Sequence, residues 1–393
     1  MSKRNRLITV FMACLVVLAL LVVSCAAPTQ PTAQTATQAS EKPIEKPAAT
    51  KAAETPVAKD SKPAAPESKP AADQKPGSML TLNVGHLSIT SDAGIYIGIE
   101  KGYFKEQGLE LKLENFKTAG DQIPLLATGK LDIGGGAVNA GLFNAISRDI
   151  PMKIVAEKGS AFPGRSASAL VIRKDLVDSG QFKDYADLKG KTIAVSSTDS
   201  APHIELLKAL EKGKLKESDV KIITMGFPDM NTAFANKAID AAMFQEPLTS
   251  QAIEKGLIVR WKESADLYPN HTVGVVLYSP KFMSEHPDAA KKYMVAYLKG
   301  VRDYNDVFVK KDAKLKAEVL SILTKYTNVK DPAVLERAMP SGLNSDGYVY
   351  TEGIAADQDW YVARGLVKQK QEINDIVDNQ YVDYAISVLG KAK

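Results

Sequence analysis

Apolar and polar positions along this chain fall into two alternating periods, and those periods set the expected elements. Leu80, Leu82 and Val84 alternate with Thr81 and Asn83, which predicts a half-buried strand over 80–84. Ile95, Ile99 and the Tyr103–Phe104 pair recur at helical spacing, which predicts a helix over 95–103 that Gly102 and Gly108 help to end. The same reading predicts strands at 109–113, 131–133, 153–156 and 169–172, with helices at 123–127 and 138–146. After Gly190 the rhythm restarts. Strands at 192–195, 220–224, 241–244, 257–259 and 273–277 alternate with helices at 202–210, 229–236 and 247–255. From Lys281 onward the pattern is nearly all helical, at 289–309, 315–326, 332–338, 354–367 and 381–389. Strand–helix alternation predicts open α/β sheets flanked by helices. The restart predicts two related α/β units, the second inserted into the first, with a helical C-terminal return.

The first 78 residues follow neither period. Lys3, Arg4 and Arg6 precede an apolar run over 7–23, and then come Ser24 and Cys25. A basic head, an apolar stretch and small residues before a cut are the layout of a secretory signal. The run is short for a spanning helix. The small residues before Cys25 resemble a bacterial lipobox, which implies that 1–25 is a lipoprotein signal peptide and that Cys25 becomes the lipidated N-terminus. Acyl chains hold a protein at a bilayer through roughly 0.8 kcal/mol per buried methylene. Residues 26–78 are built from Ala, Pro, Thr, Lys, Glu, Ser and Gln, and no aromatic occurs between Phe11 and Tyr96. Such a segment cannot bury enough apolar surface to offset its ordering entropy, so it reads as a disordered tether. As a flexible coil it would span about 40 Å.

Composition narrows the function classes. The body from Met79 onward is long for one core and suits two lobes. A net charge of +4 over 393 residues implies no nucleic-acid partner. The only cysteines are Cys14, in the removed apolar run, and Cys25, so the mature body has no disulfide or thiolate metal site. His86, His203, His271 and His286 are scattered without ligand spacing. No nucleophile elbow, zinc-protease motif or P-loop occurs. His203 and Glu205 match half of a zinc-deaminase signature whose cysteine pair is missing. No enzyme activity, metal or cofactor is expected, and the chain reads as a monomer.

Four segments carry a family resemblance. They are Gly94 to Leu109, Pro124 to Ile133 with its Gly-Lys-Leu-Asp-Ile end, Asp187 to Val195, and Ala238 to Pro247 with its Glu246-Pro247 end. In this order they resemble the solute-binding proteins of the nitrate/sulfonate/taurine group of ABC importers, which share a fold with thiamine-precursor-binding proteins. The resemblance covers essentially the whole body. It implies the type II periplasmic-binding-protein fold: two α/β lobes that close like a flytrap on a small solute. Two hinge crossings would lie near Leu170–Arg173 and Val275–Ser279. Lobe 1 would comprise 79–172 plus 277–393, and lobe 2 would comprise 173–276. The implied partner is an ABC permease, and the implied location is the outer face of the bacterial cytoplasmic membrane. The alternative is a ligand-sensing lipoprotein that presents its closed form to a signalling receptor.

A ligand in such a sheet sits outside the carboxyl ends of the strands, facing helix starts. That places the candidate contacts in six loops. The first holds His86, Ser88 and Thr90, with Thr90, Ser91 or Asp92 as cap of the following helix; the second holds Gly120 and the expected cap Asp121. Gly136, Ala137 and Val138 form the third, where three glycines allow close approach without completing a dinucleotide fingerprint. In the second lobe come Ser197, Thr198 and Asp199, then Phe227, then Gln245 and Glu246. His271 is a further candidate. Phe162, Phe227 and Phe244 are candidates for a flat wall against a ring. Glu246 ends an apolar strand, so it either meets the ligand or pairs with a cation of the cleft wall. Helix starts favour anions. The six loops nevertheless hold several carboxylates and no Lys or Arg, which favours a neutral, heteroaromatic or zwitterionic organic solute.

Overall fold

The computed structural model describes residues 79–393. The expected signal peptide, the lipidation site Cys25 and the tether lie outside the described residues. Among the described residues ten strands occur in chain order: β1 (Leu80–His86), β2 (Leu109–Asn115), β3 (Ile133–Ala137), β4 (Lys153–Ser160), β5 (Ser168–Arg173), β6 (Thr192–Val195), β7 (Lys221–Thr224), β8 (Ala241–Gln245), β9 (Ile258–Glu263) and β10 (Thr272–Tyr278). They form two five-stranded sheets, ordered β2-β1-β3-β10-β4 and β7-β6-β8-β5-β9. In the first sheet β1 pairs in parallel with β2 and β3, while β10 runs antiparallel between β3 and β4. In the second, β6 pairs in parallel with β7 and β8, while β5 runs antiparallel between β8 and β9. Both sheets thus follow one plan, as the restart after Gly190 predicts.

The crossings differ from expectation. The chain leaves the first sheet after Ser160, enters the second at Ser168, and returns between Glu263 and Thr272. Residues 170–173 and most of 275–279 lie inside β5 and β10. These runs pair along their length as central strands, so they cannot serve as the connections. The passage is made instead by the polar, Pro- and Gly-containing stretch before β5 and by residues 264–271. Boundaries at 172/173 and 276/277 would cut through β5 and β10.

β3 also departs from the sequence reading. Gly134 to Gly136, expected in the loop that follows a strand at 131–133, are themselves strand. Gln122, fully buried, donates from Nε2 to the Gly135 carbonyl (3.1 Å) and accepts from its N–H (2.9 Å). A Cβ on Gly135 would stand 2.2 Å from the Val275 carbonyl oxygen of β10. The side-chain-free strand is what lets β10 lie against it.

The helices pack on both faces of the sheets. The longest, Pro287–Phe308, begins with Pro at its first position, where a missing N–H costs nothing, and buries a stripe of Tyr293, Tyr297, Val301 and Tyr304. It crosses the helix Ala93–Glu100 where Gly94 meets Gly300. Four short helices, Lys174–Asp178, Ser264–Leu267, Pro280–Glu285 and Ile373–Ile376, were not signalled by periodicity, since each is too short to show it. Among the described residues no helix is long and apolar enough to cross a membrane.

Candidate functional site

A cavity lies between the two sheet units and takes its walls from both. The first-sheet unit contributes Leu87, Ile89 and Ser91 after β1, Thr118 and Ala119 after β2, and Gly136 and Ala137 at the end of β3. The second contributes Ser196 after β6, Phe227 after β7 and Gln245 at the end of β8. These are the carboxyl ends of parallel strands, where a doubly wound sheet leaves its binding crevice. The connecting strands close the back, through Lys158 to Ser160, Ser166 to Ser168, and Val273 with Gly274.

Of the residues expected from sequence, Gly136, Ala137, Phe227 and Gln245 line this cavity. The others sit behind it or beside it, each engaged with protein partners. The His86 ring lies 2.9 Å from the Tyr96 hydroxyl, and Ser88 Oγ donates to Asn115 (3.1 Å). Thr90 Oγ1 meets Ser341 Oγ at 2.9 Å. Asp121 accepts from Thr118 N (3.1 Å) on the exposed rim, beside Gly120, and does not turn inward. The Val138 carbonyl accepts from Ala201 N (2.9 Å) and Tyr361 OH (3.2 Å). Ser197 Oγ donates to the Thr198 carbonyl (2.8 Å). The Asp199 carbonyl accepts from Ala140 N (3.0 Å). Phe244 is core, packed against Phe227 and Phe234. Phe162 packs edge-on against Tyr350.

Two expected contacts are corrected by their partners. Glu246 is fully buried and its carboxylate is bonded to Arg260 of β9, to Ser250 N (3.1 Å) and Oγ (2.9 Å), and to Met339 N (3.3 Å). With its acceptors engaged there, Glu246 is a strut of the scaffold. His271 is likewise enclosed, with Nδ1 3.1 Å from Glu205 and Nε2 2.9 Å from Asp357. Burial opposes charge on this ring, but the two carboxylates outweigh it and push the pKa up to about 10. His271 is therefore a buried cation that joins the helix Ala201–Lys212 to the helix Thr351–Ala363.

The charged group that does line the cavity, Lys158, was missed. It is 1 % exposed, and its ammonium lies 2.7 Å from Oδ1 of the fully buried Asp92. Asp92 stands at the N-cap position of the helix Ala93–Glu100, but its side chain makes no cap bond to that helix. Its Oδ2 accepts from Leu87 N (3.0 Å), Ile89 N (3.3 Å) and Tyr96 OH (3.1 Å), which fastens the loop after β1 over the cavity. Burial alone would raise the Asp92 carboxyl; the Lys158 charge, followed by His86 and the donors at Leu87, holds it below the ordinary carboxylate range. The neighbouring Glu157 points the other way, accepting from Asn344 N (2.8 Å), and burial pushes its carboxyl up to about 8. The signal available in the sequence was the Glu157-Lys158 pair at the end of an apolar strand, a costly placement unless each charge finds a partner.

The rest of the lining is mainly apolar, with small hydroxyls set among it. Ser160 Oγ, 3 % exposed, has no hydrogen-bond partner among the described residues. Leu87, Ile89, Phe227 and Val273 supply the apolar walls. Across the mouth the two units already meet: Lys117 Nζ is 3.2 Å from Asp229 Oδ2, and Thr90 N donates to the Glu246 carbonyl (3.4 Å).

A model of the family described as NMT1/THI5 like matches residues 89–306. The chain belongs to this family. A candidate aliphatic sulfonates-binding protein of Bacillus subtilis is 28% identical over 302 residues, covering 74% of this chain and 84% of its own. The riboflavin-binding protein RibY of Chloroflexus aurantiacus is 25% identical over 296 residues, covering 73% and 72%. Among solved structures, the ligand-binding component of an ABC-type import system from Staphylococcus aureus superposes with a TM-score of 0.64 at 16% identity, over 78% of this chain and 98% of that one. That likeness shows the fold, the two-sheet architecture of type II periplasmic binding proteins.

Proposed function

We propose that this chain is the extracytoplasmic solute-binding protein of an ABC importer. It captures a small organic solute between its two sheet units and hands it, chemically unchanged, to a membrane permease. The carrying observation is the position of the cavity, walled by strand ends of both sheets, so that a bound solute would draw the two units together. The sulfonate-, riboflavin- and import-related names of its relatives support the reading. Cys25 would carry the lipid that keeps the protein beside its permease.

Closure can be read directly because the body contains no cysteine. In a Cys25→Ser background, Lys117→Cys and Asp229→Cys place one label on each side of the mouth. The solute-free protein is expected to show a broad distribution of label separations, and adding the solute eluted from the native protein is expected to narrow it to the short separation seen across the mouth here. An unchanged distribution at saturation would refute capture by closure. The anchor is tested in the same background: Cys25→Ser should move the protein out of the membrane fraction, and normal processing with full membrane retention would remove the lipid from this picture.

A further inference from the structure

We infer that the solute held in this cavity carries no ionised group. The inference rests on the solute-capture reading and narrows it. Among the described residues Lys158 is the one charged residue that lines the cavity, and its charge is already balanced: Asp92, just behind the wall, lies 2.7 Å from the ammonium, with both side chains at most 1 % exposed. Asp92 is itself held by two backbone N–H groups and the Tyr96 hydroxyl, so it cannot swing away to release the cation. An anion entering here would be enclosed beside a neutral pair. A cation would find Asp92 covered. Either would lose its hydration without gaining a counter-charge, and burial of an unpaired charge is among the costliest events in a protein interior.

Helix starts add single N–H donors rather than a counter-charge. At three of the helices that begin at the cavity wall most of the first donors are used or absent, and Phe227 N and Gly141 N are left without a partner among the described residues. In Ala201–Lys212, Ala201 N donates to the Val138 carbonyl, position 202 is proline, and His203 N and Ile204 N turn back to Ser200. In Phe227–Ala235, position 228 is proline and the next two N–H groups turn back to Gly226. In Ala140–Ile146, Ala140 N goes to the Asp199 carbonyl and Leu142 N to the Asn139 side chain. An anion site at a helix start needs free N–H groups aimed at the ligand.

What the wall does offer is neutral hydrogen bonding beside apolar surface. The unpartnered Ser160 hydroxyl, the Gln245 amide and the Lys158 ammonium, which is ion-paired with Asp92 but makes no hydrogen bond among the described residues, suit ring carbonyls, lactams, amides or hydroxyls. Phe227, Leu87 and Ile89 suit an apolar or ring body. A sulfonate binder could use a lysine in this position, and Asp92 is the residue that removes that option.

The test uses the full-length processed protein. Its bound solute is released by denaturation and identified by mass spectrometry. The emptied and refolded protein is then titrated calorimetrically with charge-matched pairs, benzamide against benzoate and nicotinamide against nicotinate, together with ethanesulfonate and nitrate. The expected released solute is uncharged at pH 7. A neutral member is expected to bind about 100-fold more tightly than its acid, a gap of about 2.7 kcal/mol, with an affinity that hardly changes between low and high salt. A released sulfonate, carboxylate or amine would overturn the inference and leave solute capture standing. So would an anion that binds more tightly than the neutral probes and loses that binding in Lys158→Met. No released solute and no heat from any probe would count against solute capture itself, and this inference would fall with it.

Discussion

Replacing His271 by alanine is expected to destabilise the folded chain by about 3–5 kcal/mol, the usual loss when one partner of a buried ionic group is removed. The imidazolium lies between Glu205 and Asp357, and all three side chains are at most 1 % exposed. Glu205 also accepts from Ser264 Oγ at 2.8 Å, and Tyr268 stacks on the ring with centroids 4.2 Å apart. Without the ring, two carboxylates share a dry cavity with no cation, and the helices Ala201–Lys212 and Thr351–Ala363 lose the group that joins them. A fall in melting temperature of roughly 5–10 °C is expected. The pH dependence gives a second reading. The folded pKa of about 10 stands above the unfolded value near 6.5, so the stabilisation is full below pH 6.5 and is lost as pH rises towards 10. Glu157 adds a slope of the same sign between its ordinary value and about 8, because only the folded state holds that proton there. Between about pH 8 and 9 the His271 slope, up to about 1.4 kcal/mol per pH unit, is the main one; nearer pH 10 the buried tyrosines, whose hydroxyls are also raised, add a slope of the same sign. In His271→Ala the slope between about pH 8 and 9 should fall sharply. A variant that melts with the wild type, or that keeps the full slope between about pH 8 and 9, would show that the network carries no net stability.

The same residue shows what the sequence could and could not disclose. His271 was a reasonable ligand candidate: a polar residue just before a predicted strand. Its true partners lie 66 and 86 residues away along the chain. Nothing in a single sequence marks them, because both are ordinary acidic residues within helical patterns. Glu246 is similar. Its cation, Arg260, comes from β9, which reaches it across β5 only once the order β8-β5-β9 is known. The strands themselves were legible, since period two survives wherever one face is buried. Thr192–Val195 and Ala241–Gln245 fall within a residue of expectation. β3 was expected at 131–133 and is found at 133–137 because glycine has little strand preference of its own, and the Gln122 amide that bonds both backbone groups of Gly135 is invisible locally. The binding loops were legible as strand ends, but not which residue in each loop turns inward: Ser196 lines the cavity while Ser197 to Asp199 do not. Lys158 escaped notice because it belongs to a strand at the back of the crevice rather than to a loop at its mouth.

Gly300→Ala is expected to destabilise the protein by about 2–3 kcal/mol, although alanine is the better helix former. In the interior of Pro287–Phe308 the exchange gains about 1 kcal/mol of helix propensity. The built Cβ, however, stands 2.2 Å from the Gly94 carbonyl oxygen and 3.1 Å from Gly98 N, both backbone atoms of Ala93–Glu100. Neither can rotate away as a side chain would. The two helices must part by about 1 Å, which forfeits a quarter to a half of the dispersion energy at each displaced contact, and overpacking of this kind costs about 1–3 kcal/mol or more. Ala93–Glu100 also carries the loop that Asp92 fastens over the cavity, so the displacement should reach the site and weaken solute affinity as well. Gly353→Ala is the control. It lies in the first turn of Thr351–Ala363, and its built Cβ finds nothing nearer than 3.6 Å, an ordinary van der Waals distance. There the propensity gain is unopposed, and stability should hold or rise by up to about 0.5 kcal/mol. Denaturant unfolding of the two variants beside the wild type decides the matter. If Gly300→Ala proves as stable as Gly353→Ala, the Gly94–Gly300 crossing is not a close backbone contact in solution, and the seat of the Asp92 loop would have to be sought elsewhere.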